Sequence, residues 1–212
     1  VSDERGRWRL PEPLRDRTGV LFSSVLAGHG RLVRLVRRDG DDGTGRFDRH
    51  FLPQILASGH GALARHIGAT GPAAQVTAGA ASMPVALSIA RDWLVTGRCD
   101  RVVVVGADDP SGDDLVEWIG AGLLAMGAAA VDSTASPPGG WVLGMGAAGI
   151  VLERQAGALQ RGAAPIARLV ASRLSGGLEP DSPADASALS AQVRGLLGDA
   201  GLVLGAGLED VA

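Results

Sequence analysis

The sequence predicts an α/β fold, a sheet covered by helices, and three observations within one stretch, Gly71–Asp109, carry that expectation. Gln75-Val76-Thr77-Ala78 is short and half apolar, as a strand is, and runs into Gly79-Ala80-Ala81-Ser82, whose side chains are small enough for a sharp turn. From Val85 the apolar residues Val85, Ala86, Leu87, Ile89, Ala90, Trp93 and Leu94 cover nearly every side of a helix. They leave Ser88, Arg91 and Asp92 as a polar strip, so this helix belongs at the centre of the fold. Arg101-Val102-Val103-Val104-Val105 is the β-branched run expected of a strand buried on both faces.

The boundaries of the central helix follow from its punctuation. Proline is tolerated in a first helical turn, where its missing N–H has no intrahelical partner to lose, so Pro84 sets the helix start near Ala81 or Ser82. Gly97 is placed to stop it, because glycine accepts the left-handed backbone of a C-terminal cap.

The other elements are read in chain order. Val1–Asp16 mixes charge with Pro11 and Pro13 and reads as a surface arm. Thr18–Ser24 is a strand candidate and His29–Arg38 a helix, with Leu32, Val33, Leu35 and Val36 at helical spacing. Arg37–Arg46 is a charged, glycine-rich loop, and Phe47–Gly68 reads as short helices broken at Gly59 and Gly61. After the valine run, Ala107-Asp108-Asp109-Pro110 reads as a solvated turn before a helix near Asp113–Ile119. Two carboxylates at a strand's C-terminal end also suit a ligand, but adjacent residues of an extended segment point opposite ways. Gly120–Ala130 is a small, apolar packed surface and Asp132–Gly140 a loop. Arg154–Ala164 is a connector, Pro165–Ser172 a strand candidate and Arg173–Asp181 a loop. Ser182-Pro183-Ala184-Asp185 opens a last helix, with a stripe of Leu189, Val193, Leu196 and Leu197. Three segments result: an arm at 1–16, a main body at 17–153 and a further piece at 154–212.

Composition excludes several functions. Of 212 residues, 46% are hydrophobic, enough for a core, and the net charge of −3 without a basic cluster argues against nucleic acid as a partner. No apolar run reaches membrane-spanning length and the first residues lack the pattern of a signal peptide, so a cytoplasmic location without membrane association is expected. Cys99 is the single cysteine and cannot form an internal disulfide; it reads as a packed residue before the valine strand. His60 and His66 lack the i, i+4 spacing of a helical metal pair, and His29 and His50 have no partner pattern, so no metal is expected. Gly144-x-Gly146-x-x-Gly149 matches the dinucleotide fingerprint, but Ile150-Val151-Leu152 continues as strand and no acidic residue trails it. Close backbone approach in a sheet accounts for those glycines, and no cofactor is expected.

The chemistry gathers at the turn. A residue at position 80 precedes a buried helix, whose unpaired N–H groups and dipole stabilise an anion. A cysteine there has its thiolate favoured, with backbone N–H groups nearby for an oxyanion. This segment resembles the nucleophile elbow of β-ketoacyl synthases, the condensing enzymes of fatty-acid and polyketide assembly in the thiolase superfamily. Aligned through Ser82, Gly97 and the valine run, the family's cysteine falls on Ala80. Arg17–Phe22, Phe47–Asp48–Arg49 through Pro72, Gly97–Asp100 and the glycine-rich Gly144–Glu153 resemble further family segments in the same order, covering roughly Thr18–Glu153.

The resemblance implies a thiolase-like mixed five-stranded sheet covered by helices, of which this chain holds the N-terminal half and part of the C-terminal half. It also implies an acyltransferase site at the Ala80 position with the elbow residues Gly79, Ala81, Ser82 and Met83 against the substrate, and two histidines in a second half that this chain does not reach. A homodimer or heterodimer with a ketosynthase, pairing through the strand at Gln75–Ala78, and an acyl carrier protein or acyl thioester are the implied partners. Alanine cannot be acylated. The leading functional expectation is therefore a non-catalytic, chain-length-factor-like partner of an active condensing enzyme. The alternatives are an active β-ketoacyl synthase seen as a Cys-to-Ala variant or fragment, and a structural or docking fragment.

Overall fold

The computed structural model describes residues 8–25, 59–79, 81–108, 145–174 and 183–200, with side chains in the last stretch from 187 onward. The expected elements at 26–58, 109–144, 175–182 and 201–212 lie outside the described residues, as do Ala80, His29, His50, Asp109 and Gly144. Two compact units divide at Arg154 and Gln155.

The first unit is built on four strands: β1 (Thr18–Ser23), β2 (Ala73–Val76), β3 (Arg101–Asp108) and β4 (Gly146–Glu153), in the spatial order β2-β1-β3-β4. β1 runs parallel to both β2 and β3, whereas β4 is antiparallel to β3, so the sheet is mixed as expected. The register sets Gly19 opposite Val102, Leu21 opposite Val104 and Ser23 opposite Gly106. These residues share one face of the pleat because side chains alternate along a strand.

Helix α3 (Ser82–Val95) covers that face. Ala86, Ala90, Trp93 and Leu94 join Leu21, Val76, Cys99, Val102 and Val104 in one buried cluster. Leu21, Val102 and Val104 are completely buried, each contributing on the order of 1.5–3 kcal/mol of transfer free energy. Gly19 is small for a reason: a Cβ there lies 3.0 Å from the Trp93 ring and 3.2 Å from Cys99 Sγ. Helix α2 (Gly59–Ile67) covers the opposite face, where a Cβ on Gly59 lies 2.9 Å from the Phe22 ring.

Helix α3 begins at Ser82 with Pro84 in its first turn, and ends at Thr96 with Gly97 at φ +71°. The Arg98 N–H reaches the Trp93 carbonyl at 2.9 Å and the Gly97 N–H the Leu94 carbonyl at 3.3 Å, the paired bonds of a Schellman cap.

Several expectations are corrected. The second half of the expected arm is structured: α1 (Glu12–Arg15) is a short helix, and the Leu10 N–H bonds the Ile67 carbonyl at 2.8 Å. Gly61 does not break a helix, since α2 runs through it and tertiary contact outweighs glycine's propensity. The second strand starts at Ala73 and ends at Val76, because β1 supplies partners only for Ala73–Val76. The expected turn at Ala107–Asp108 is instead the end of β3, which β4 extends by pairing Ala107 with Ala147 and Asp108 with Gly146.

The second unit holds α4 (Gln155–Gln160) and α5 (Pro183–Asp199). Helix α4 lies where a connector was expected, and Pro165–Ser172 is not a strand: no neighbour pairs with it among the described residues, and Ile166, Leu169 and Val170 are exposed. Along α5, Leu196 and Leu197 are half-buried, while Leu189 and Val193, expected on the same buried stripe, are exposed.

Candidate functional site

The C-terminal ends of the three parallel strands converge on the start of α3, and the turn between β2 and α3 lies there. Gly79 has φ +55°, a left-handed backbone that costs other L-residues about 1–2 kcal/mol. The Ala78 carbonyl accepts from the Ala81 N–H and the Gly79 carbonyl from the Ser82 N–H, both at 3.1 Å. Ala80 lies between these bonded residues in the chain and is itself outside the described residues, so the two residues flanking it fix the turn on both sides.

Ser82 holds the turn together. Ala81, the N-cap, makes no side-chain capping bond. The Ser82 hydroxyl, 2% exposed as a residue, instead turns back: its Oγ accepts from the Ala78 N–H at 2.8 Å and faces the Gly79 carbonyl at 2.7 Å and the Ser24 carbonyl at 3.2 Å. Of the expected elbow residues, Gly79 and Ala81 are exposed, Ser82 is consumed by the backbone, and Met83 is half-buried. Met83 packs over β3, where a Cβ on Gly106 would lie 2.6 Å from its terminal methyl carbon.

Two residues that sequence reasoning did not assign to the site join it. The Ser24 hydroxyl donates to Asp108 Oδ1 at 2.8 Å, and the Val25 N–H donates to Asp108 Oδ1 and Oδ2 at 2.9 and 3.1 Å. An acidic residue at a strand end was visible; its partner across the sheet required the β1–β3 register. Asp108 borders a shallow depression together with Ala107, Met145 and Gly146.

At the other end of the strands a charged group ties the sheet's start. Arg17 grips Asp100 with two bonds, Nη2 to Oδ1 at 2.8 Å and Nε to Oδ2 at 3.1 Å, and Arg154 adds a third at 3.1 Å. The hydrogen bond from Arg17 and its charge hold the Asp100 carboxyl below the usual range. Beside it, burial pushes the Cys99 thiol up. Cys99 precedes β3, whereas the turn lies at that strand's far end, on the order of 20 Å away at about 3.3 Å per residue. It therefore cannot stand in for a thiol at position 80.

His60 and His66 sit on α2, without the company of a metal centre: among the described residues no cluster of three His, Cys, Asp or Glu forms. Gly146 and Gly149 are in β4, with a Cβ on Gly149 meeting Val105 at 3.5 Å, so these two glycines of the fingerprint-like motif lie in a strand and open no helix. No helix among the described residues is long and apolar enough to cross a membrane.

A model of the β-ketoacyl synthase N-terminal domain matches residues 8–158, well over half of the sequence. The chain belongs to the β-ketoacyl synthase family. Solved structures of similar fold include the ishigamide ketosynthase/chain length factor, at 21% identity and TM-score 0.61, with 94% of this chain and 51% of that chain covered. A second is AntDE:AntF, a type II polyketide synthase acyl carrier protein in complex with its ketosynthase bound to the hexaketide. It gives 21% identity and TM-score 0.71 over 92% of this chain and 52% of that one. A third is the oxazolomycin ketosynthase domain OzmH KS7 of Streptomyces albus JA3453, at 22% identity, TM-score 0.61, and 88% and 31% coverage. This β-ketoacyl synthase family chain spans about half the length of the first two. A search of curated proteins by sequence returned no match.

Proposed function

We propose that this chain is a ketosynthase-like protein of polyketide biosynthesis that acts as a non-catalytic, chain-length-factor-like partner of an active condensing enzyme. What supports the reading is the resemblance, which aligns Ala80 with the family's cysteine, together with the bonds that close between the residues before and after it, Ala81 N–H to the Ala78 carbonyl and Ser82 N–H to the Gly79 carbonyl. An alanine methyl group has no lone pair to attack a thioester and no thiolate for a helix N-terminus to stabilise, so acyl transfer to this chain has no acceptor atom. A retained turn at the mouth of a sheet still offers shape, small at Gly79 and Ala81 and apolar at Met83. The function proposed for it is to border the acyl chain held on a partner's cysteine and to limit its extension. The partners proposed are a ketosynthase, joined in a heterodimer, and an acyl carrier protein that brings the acyl thioester to that pair. Similarity in fold to a ketosynthase/chain length factor and to a ketosynthase bound to its carrier protein supports both.

Co-expression with a ketosynthase tests this. The expected result is a stable heterodimer in which a radiolabelled acyl thioester loads the partner alone. Acyl loading of an Ala80→Cys variant of this chain, and condensation by it without any partner, would instead favour an active synthase altered at one residue.

A further inference from the structure

The ends of β1, β2 and β3 are joined beyond their ladders by a run of side-chain bonds. Asp108, closing β3, accepts the Ser24 hydroxyl and the Val25 N–H, and so fixes the backbone where β1 ends. The Ser24 carbonyl in turn faces the Ser82 hydroxyl, which also takes up the Ala78 N–H and meets the Gly79 carbonyl, both on the β2 side of the turn. Ser24 and Ser82 are 5% and 2% exposed and the bond between them is buried, the Ser24–Asp108 bond and those of Ser82 to Ala78 and Gly79 are part-buried, and the two from the Val25 N–H to Asp108 are exposed. A buried polar group left unpartnered costs about 1–3 kcal/mol, which makes each bond in the run depend on its neighbours.

We propose that Asp108 is a positioning residue for the turn before α3, acting through Ser24 and Ser82. This rests on the turn's being the functional point of the chain, as proposed above. Both carboxylate oxygens are engaged, Oδ1 twice, so the carboxylate fixes two groups of β1 at once. Removing it lets Ser24 and Val25 move, withdraws the carbonyl that Ser82 faces, and loosens the Ala78–Ser82 turn while the core under α3 stays packed. Asparagine keeps an oxygen where Oδ1 lies, able to accept from both Ser24 and Val25, and should preserve most of the effect.

The test compares Asp108→Ala, Asp108→Asn and Ser82→Ala in the full chain by native-state hydrogen exchange, resolved at Ala81 and Ser82 and at Val102–Val104. Asp108→Ala is expected to speed exchange at Ala81 and Ser82 by tenfold or more, with less than a twofold change at Val102–Val104, and Asp108→Asn to restore most of the protection. Unchanged exchange at the turn would overturn the proposal; so would an equal rise across the sheet, or a failure of asparagine to rescue. The same variants are then paired with a ketosynthase. A shift in product chain length with Asp108→Ala, in an intact complex, links the positioning to function. Absence of any complex with the unaltered chain counts against the proposed function and leaves the exchange result to decide the role of Asp108.

Discussion

Gly71 shows how one residue fixes a junction. A Cβ there would meet the Thr18 carbonyl oxygen and lie 2.8 Å from that of Asp16, both backbone atoms that cannot swing aside. Gly71→Ala is expected to destabilise the protein by about 1–3 kcal/mol, read as a lowered urea midpoint with unchanged slope. Gly106 differs in kind, since a Cβ there meets the flexible end of Met83, so Gly106→Ala should cost less than Gly71→Ala in the same titration. Asp100 makes a prediction about pH. Its carboxyl is held low by Arg17, so the stability it contributes is present above the unfolded pKa, roughly 3.9, and is lost as pH falls through the lower folded value. With both side chains of the pair 41% exposed the effect is modest, and Asp100→Asn should flatten the acid limb of a plot of melting temperature against pH.

The β3–β4 pair and α3 act at the scale of elements. Arg101 and Glu153 face each other across the antiparallel register and bond at 2.8 Å with side chains only 18% and 7% exposed. Glu153→Ala should destabilise by about 1.5–3 kcal/mol, more than Asp100→Asn at neutral pH, because the bond lost is charge-assisted and sheltered. Helix α3 was readable because its apolar residues recur on nearly all sides and proline and glycine mark its ends. Its start at Ser82 and stop before Gly97 follow from backbone chemistry local to those residues. The segment at Pro165–Ser172 misled for the complementary reason. Ile166, Leu169 and Val170 have strand-like side chains, but a strand exists only where another backbone offers its N–H and C=O groups, and none does among the described residues.

For the molecule as a whole, the proposed heterodimer predicts linkage. A partner that binds only the folded chain raises its melting temperature by mass action, so the shift should grow with the concentration of added ketosynthase. A melting temperature independent of partner would contradict the heterodimer. On β4, Ile150 and Val151 are 45% and 59% exposed, apolar side chains whose burial would add to such stabilisation.

By itself the sequence determined the strand–turn–helix–strand order, the ends of α3 and the burial of Cys99. Each of these depends on residues close together in the chain or on the chemistry of one side chain. The tertiary structure alone decided that β3 runs on through Asp108, that Ser82 is committed to the backbone of the turn, and that Ser24 and Asp108 meet. The pairing of Asp108 with Gly146, the bond from Ser24 to Asp108, 84 positions away, and the approach of Ser82 to the Ser24 carbonyl, 58 positions away, are set by strand register, which appears only when the sheet is assembled.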